Sequence, residues 1–200
     1  MNENIKISEI KKGIELSIEN SFELLRDAEI LFENKRYARA YSLSQLALEE
    51  IGKSVILFDF YRKLQGDDRK TFDFKTFRRN FRDHKWKTYE SIFIELLMKG
   101  GSKSPEFKKF ALENFKKIQK NKKGHYDNLK NQSLYVSLLN DKFKKPDELF
   151  KKEKVLEFLI ESKAKIKFSS EDTLKWLRMD EWLGTDKEGF FTELDNELNK

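Results

Sequence analysis

The stretch that decides the fold is Tyr37-Ala-Arg-Ala-Tyr-Ser-Leu-Ser-Gln-Leu-Ala-Leu-Glu-Glu-Ile-Gly-Lys53-Ser-Val-Ile-Leu-Phe-Asp-Phe-Tyr-Arg-Lys-Leu64. Ala40, Leu43, Ala47, Ile51, Val55 and Phe58 recur every three or four residues, the spacing of one face of an α-helix. The run ends at the turn cluster Gly66-Asp67-Asp68. Upstream, Asn34-Lys-Arg36 reads as a short turn. Before it, residues 7–33 place Ile14, Ile18, Leu25, Ala28 and Phe32 near helical spacing. Two long helices joined by so short a turn make an antiparallel hairpin.

Downstream, a third helix is expected from Asp73, a suitable N-cap, toward Met98, with Gly100-Gly101 ending it. Ser104-Pro105-Glu106 is a start signal for a fourth, which runs to about Lys122. Residues 124–141 are the least helical, and 133–139 read as a short extended segment. A fifth helix follows Pro146 to about Phe168. Ser169-Ser-Glu-Asp172 resembles a capping box and opens a sixth that ends near Gly184. The expectation is an all-α bundle of about six helices in one domain over 1–200, with a core at 8–140 and C-terminal helices at 146–200.

Composition narrows the chemistry. The 200 residues include no Cys, 2 His, 2 Pro, 8 Gly and 18 Phe. Without cysteine there is no disulfide, thiolate zinc site or thiol nucleophile. Few Pro and Gly disfavour an all-β fold, and the aromatic content opposes disorder. Residues 1–13 lack the apolar core of an export signal, and no run approaches the ~20 apolar residues of a membrane span. A soluble cytoplasmic protein is expected. The net charge of +6 is uneven. Residues 99–154 hold 16 Lys against 7 acids, a net of +9, whereas 169–200 hold 4 basic residues against 9 acids, a net of −5. A lysine-rich segment is either a solvated face or a surface that attracts phosphate.

Candidate chemistry centres on Arg78-Arg79-Asn80-Phe81-Arg82-Asp83-His84-Lys85. With Lys87, this puts five cations around a single imidazole. A histidine can move a proton near neutral pH, and a guanidinium can hold a phosphate through two hydrogen bonds. On a continuous helix Phe74, Phe77, Phe81 and His84 share one face, and Asn80 lies at its edge. Arg79 falls roughly 140° from His84 at about 100° per residue. The helix is distorted there, or the long arginine wraps around, or two copies combine. The plainer alternative is an exposed basic helix with a core histidine.

A second constellation is Ala47-Leu-Glu-Glu-Ile-Gly-Lys53. Glu49 and Lys53 are expected to pair at i,i+4, and Glu50 can reach a polar pocket beside the apolar stripe. Gly52 in mid-helix implies the close approach of another helix. His125 reads as a loop residue in a basic stretch, either solvated or stacking on a nucleotide. Lys130, Gln132 and Tyr135 are further candidates. Gly-rich phosphate loops, HExxH and zinc spacing are absent, and no metal or cofactor is expected.

Arg79-Asn80-x-x-x-His84 resembles the R-polar-x(3)-H form of the motif found in HEPN domains, all-helical domains of prokaryotic toxins and defence systems. Residues 37–53 resemble the ALxxxAxEExGK-type helix of the AbiV family of phage abortive infection proteins. Phe81, His84, Lys85 and Lys87 resemble its FxxHxxK region. Lys130-Asn-Gln-Ser-Leu-Tyr-Val136 resembles its K-x(2–3)-LYV segment, with Ser133 in place of an expected Gly. The resemblance spans about 37–146. It implies a HEPN-like bundle and an anti-phage effector that arrests translation after activation by a phage-encoded protein. It also implies a homodimer that cleaves tRNA, rRNA or mRNA without metal at the symmetric interface. In that scheme Arg79, Asn80 and His84 are catalytic. Glu50, Lys53, Arg78, Arg82, Lys85, Lys87, Lys130 and Tyr135 bind RNA or support the site. The alternative is a non-enzymatic module that blocks translation by binding RNA or protein.

Overall fold

The computed structural model describes residues 7–65, 74–83, 87 and 125–179. Among them are six helices: α1 (Ile7–Glu33), α2 (Tyr37–Gln65), α3 (Phe74–Arg82), α4 (His125–Leu134), α5 (Pro146–Leu149) and α6 (Lys152–Met179). One antiparallel hairpin, β1 (Ser137–Leu139) with β2 (Lys142–Lys144), interrupts them. The fold is the expected all-α bundle, with α1 and α2 bounded almost as the periodicity predicts.

The α1–α2 turn closes by backbone geometry. Lys35 takes a left-handed φ of 60°. Its N–H donates to the Phe32 carbonyl at 3.0 Å, and the Arg36 N–H donates to Leu31 at 2.8 Å. This is the double bond of a Schellman end, made here without the usual glycine.

Helix α2 is the centre of the bundle and packs against each of the other five described helices. It is therefore buried nearly all round rather than along one stripe. Small residues at Ala38, Ala40, Ser42, Ser44, Ala47, Gly52 and Ser54 let neighbours come close, and all are buried. Two of the serines are satisfied within the helix: Ser44 Oγ donates to the Ala40 carbonyl at 2.9 Å and Ser54 Oγ to Ile51 at 2.7 Å. The main core joins Ile10, Ile14, Ile18, Leu25 and Ala28 of α1 to Ala47, Leu48, Ile51 and Phe60 of α2 and Leu159 and Ile166 of α6. A second cluster gathers Ala38, Tyr41, Phe150 and Val155. There Tyr41 stacks on Phe158 with centroids 4.4 Å apart. Burial pushes its hydroxyl above the ordinary tyrosine pKa, with Tyr126 and Glu161 adding to the shift.

Several sequence expectations are corrected. Residues 125–134 are helical, so His125 begins α4 and is not a loop residue. The extended segment is only Ser137–Leu139. The helix after Pro146 breaks at Phe150, whose buried ring and extended backbone (φ −108°, ψ 103°) separate α5 from α6. Ser169-Ser-Glu-Asp172 opens no helix. Ser169 and Ser170 are buried inside α6, and Ser170 Oγ donates to the Lys167 carbonyl at 2.8 Å. Of the helix expected over 73–98, residues 74–82 are seen as α3 and Asp83 leaves the helical state; 73, 84–86 and 88–98 lie outside the described residues, as do the helix expected over 104–122 and the expected helix end near Gly184.

Candidate functional site

The site is built where α3 and α4 meet the middle of α2. Phe77 of α3 stacks on Phe60 of α2 at 4.3 Å, and Phe81 follows Phe77 at 5.8 Å, so both rings face inward. Arg79 and Arg82 are exposed and Arg78 is half-buried. The Asp83 N–H donates to the Arg79 carbonyl at 3.0 Å and the Lys87 N–H to the Asp83 carbonyl at 3.2 Å. The side chain of Asn80, and residues His84 and Lys85, lie outside the described residues.

Gly52 is where this segment touches α2. A Cβ there would lie 2.0 Å from the Lys87 carbonyl oxygen and 2.8 Å from its carbon. Only glycine admits backbone that close, as its mid-helix position implies.

Around the crossing the charges pair differently from expectation. Glu49 does not bond Lys53. It is 2% exposed and accepts from Lys130 Nζ of α4 at 2.5 Å. Asp127 lies 3.6 Å from the same ammonium. Lys53 instead donates to Glu50, one turn earlier, and its ammonium stands 5.9 Å from the centre of the Phe81 ring. Lys87 is buried, which holds its ammonium below the ordinary lysine range. Glu49 and Glu50 oppose that shift, and Lys53 and Lys130 add to it. Three segments far apart in sequence thus meet in one ionic cluster of three carboxylates and three ammonium groups.

Ser133 completes the α2–α4 contact. It is fully buried, shares a hydrogen bond with the Ser42 hydroxyl and donates to the Lys130 carbonyl at 2.6 Å. A glycine, the residue the resemblance anticipates there, would make neither bond.

These placements sort the candidates. Lys130 is a buried rather than a surface cation, and its ammonium is held by Glu49. Glu50 borders an open groove of about 480 Å³ whose other charged walls are Glu19 and Glu23, a lining that repels phosphate. Its carboxylate accepts from Lys53. Tyr135 is 64% exposed on the link from α4 to β1, away from the buried cluster. His125 is exposed and meets Tyr126 edge-on at 5.5 Å. Sequence reasoning missed Glu49 as the buried carboxylate and Asp127 as its neighbour. The available signal was the i,i+3 spacing of Asp127 and Lys130. Among the described residues no His, Asp and Glu group is arranged to hold a metal, and no helix is long and apolar enough to cross a membrane.

The described residues form a mostly helical bundle centred on one buried helix. The HEPN domain model of the AbiV family matches residues 9–167, and the chain belongs to that family, which is tied to abortive infection and HEPN-type defence. No curated protein and no solved structure matches it.

Proposed function

We propose that this protein is a metal-independent endoribonuclease that arrests translation during phage infection. The observation that carries the reading is the presentation of α3. Phe77 and Phe81 anchor it inward while Arg79 and Arg82 remain in solvent, where they can meet a phosphodiester. In the reaction, His84 takes the proton from an RNA 2′-hydroxyl. That oxygen attacks the adjacent phosphorus, and the bond to the 5′-oxygen breaks. The 5′-oxygen leaves with a proton from the second histidine of a homodimer. The products are a 2′,3′-cyclic phosphate and a 5′-hydroxyl. Arg79 holds the scissile phosphate and offsets the charge that grows on its oxygens. Asn80 orients one of these groups. The Glu49–Lys130 pair ties α4 to α2 beneath, where orientation within fractions of an ångström is set.

The test is expression of wild type and His84→Ala together with the activating phage, with sequencing of RNA ends. New cyclic-phosphate ends in wild type alone support the reading. Equal arrest without new ends in either refutes catalysis and leaves translation block by binding. A 24 kDa mass by light scattering under all conditions, phage activator included, refutes the dimer.

A further inference from the structure

Among the described cations of the arginine segment, Lys87 stands apart. Arg79 and Arg82 are exposed and Arg78 is half-buried, whereas Lys87 is 5% exposed and has almost no surface to offer a phosphate. Both parts of the residue are set against α2. Its main-chain carbonyl stands where a Cβ on Gly52 would need to be. Its side chain is buried in the field of Glu49 and Glu50, whose carboxylates are held by Lys130 of α4 and by Lys53. Asp127 of α4 lies 3.6 Å from the Lys130 ammonium.

From this anchor, main-chain hydrogen bonds run back along the segment. The Lys87 N–H donates to the Asp83 carbonyl at 3.2 Å, and the Asp83 N–H donates to the Arg79 carbonyl at 3.0 Å. In sequence, His84 falls within this relay, directly after Asp83 and three residues before Lys87. Arg79, which holds the phosphate in the reading above, begins it. Phe77 and Phe81 secure the α3 end of the relay through Phe60. Lys87 secures the other end. We infer that Lys87 is a positioning residue of the site: seated on Gly52 and buried beside Glu49 and Glu50, it fixes His84 relative to Arg79 and does not contact RNA. This rests on the nuclease reading above and moves one cation of the segment from RNA binding to placement.

The test compares Lys87→Met and Lys87→Arg in the full-length protein. Arginine serves a phosphate contact at least as well as lysine, but its broad planar head does not fit a buried site shaped for an ammonium. Both variants are therefore expected to lower the yield of new cyclic-phosphate ends per folded protein by about 100-fold, the cost of misplacing a reacting group by about 1 Å. Binding of a labelled, fully 2′-O-methylated single strand, which cannot be cleaved, is read by fluorescence anisotropy. Its affinity and the slope of log affinity against log salt are expected to match wild type. The chain has 2 histidines, so His84→Ala assigns both imidazole NMR signals. Each Lys87 variant should shift the His84 signal and leave that of His125, whose edge-on contact with Tyr126 reports that the variant is folded.

Wild-type cleavage by Lys87→Arg, or a salt slope lower by about 0.7 in Lys87→Met, overturns the proposal and makes Lys87 a phosphate contact. A His84 signal unmoved in both variants also overturns it. Should neither variant fold, hydrogen exchange of the wild type decides: a Lys87 amide protected like those of α2 supports the anchor, and one that exchanges like an open chain refutes it. A wild type that yields no cyclic-phosphate ends refutes the nuclease reading, and the imidazole signals then decide by themselves whether Lys87 places His84.

Discussion

Gly52→Ala sets two effects of opposite sign against each other. In an isolated helix, alanine is favoured over glycine by about 1 kcal/mol. Here the new Cβ would stand 2.0 Å from the Lys87 carbonyl oxygen, against an ordinary contact of at least 3.4 Å, so the crossing must open by about 1.4 Å. The obstacle is backbone and cannot rotate away. Overpacking of this kind costs about 1–3 kcal/mol, and a backbone clash belongs at the upper end. The net expectation is a loss of about 1–2 kcal/mol. For a chain of this size that is a fall of about 2–8 °C in Tm. Gly13→Ala is the matched control. Its Cβ would meet only the end of the Leu57 side chain, at 3.2 Å, which yields by a few tenths of an ångström. It should be neutral or raise stability by up to about 1 kcal/mol. Thermal and urea unfolding followed by circular dichroism read both variants. Should Gly52→Ala stabilise the protein as Gly13→Ala does, the close crossing of Lys87 over Gly52 is refuted.

The Glu49–Lys130 pair yields a double-mutant test. Glu49→Gln and Lys130→Met should each destabilise the protein in urea, by up to about 3–5 kcal/mol, because each removes one partner of a buried pair, with Asp127 at 3.6 Å softening the loss when Glu49 is replaced, while Glu49→Leu combined with Lys130→Met should lie closer to wild type than either. Additive losses in the double variant would refute the pairing. Lys87 supplies a pH test. Its folded-state pKa lies below the unfolded value of 10.5, so the unfolded chain holds the proton more tightly and wild-type stability gains as pH rises toward that value. Lys87→Met lacks this slope. The difference in unfolding midpoint between wild type and variant should therefore shift in favour of wild type from neutral pH to about 10.5; a constant difference refutes the burial of its charge.

The long hairpin was legible because apolar spacing and a short polar turn act locally, and Gly52 was legible because a glycine in mid-helix needs a reason. Helix α4 escaped the same reading because its buried residues are Lys130 and Ser133. A helix that presents a charge and a hydroxyl to the core shows no apolar period. The choice of Glu49 over Glu50 as the buried acid was equally hidden, since it depends on where a lysine 81 residues away is placed. The break at Phe150 comes from a ring captured in the second core, and the serines of 169–172 mimic a cap that tertiary packing overrides. The hairpin turn did carry a signal, Asn140-Asp141, two residues that tolerate left-handed backbone.

The Glu49–Lys130 pair also bears on how the protein assembles. Helices α1 and α2 are contiguous in sequence and can zip together early, with Glu49 still hydrated. Docking of α4 must then strip water from an anion and a cation together before their attraction is gained, so the desolvation cost falls on the closing step. The same barrier resists reopening. A contact that contributes little to equilibrium stability can in this way lengthen the lifetime of the assembled site, and the newly made chain carries a delay between synthesis of its arginine helix and completion of the surface that supports it.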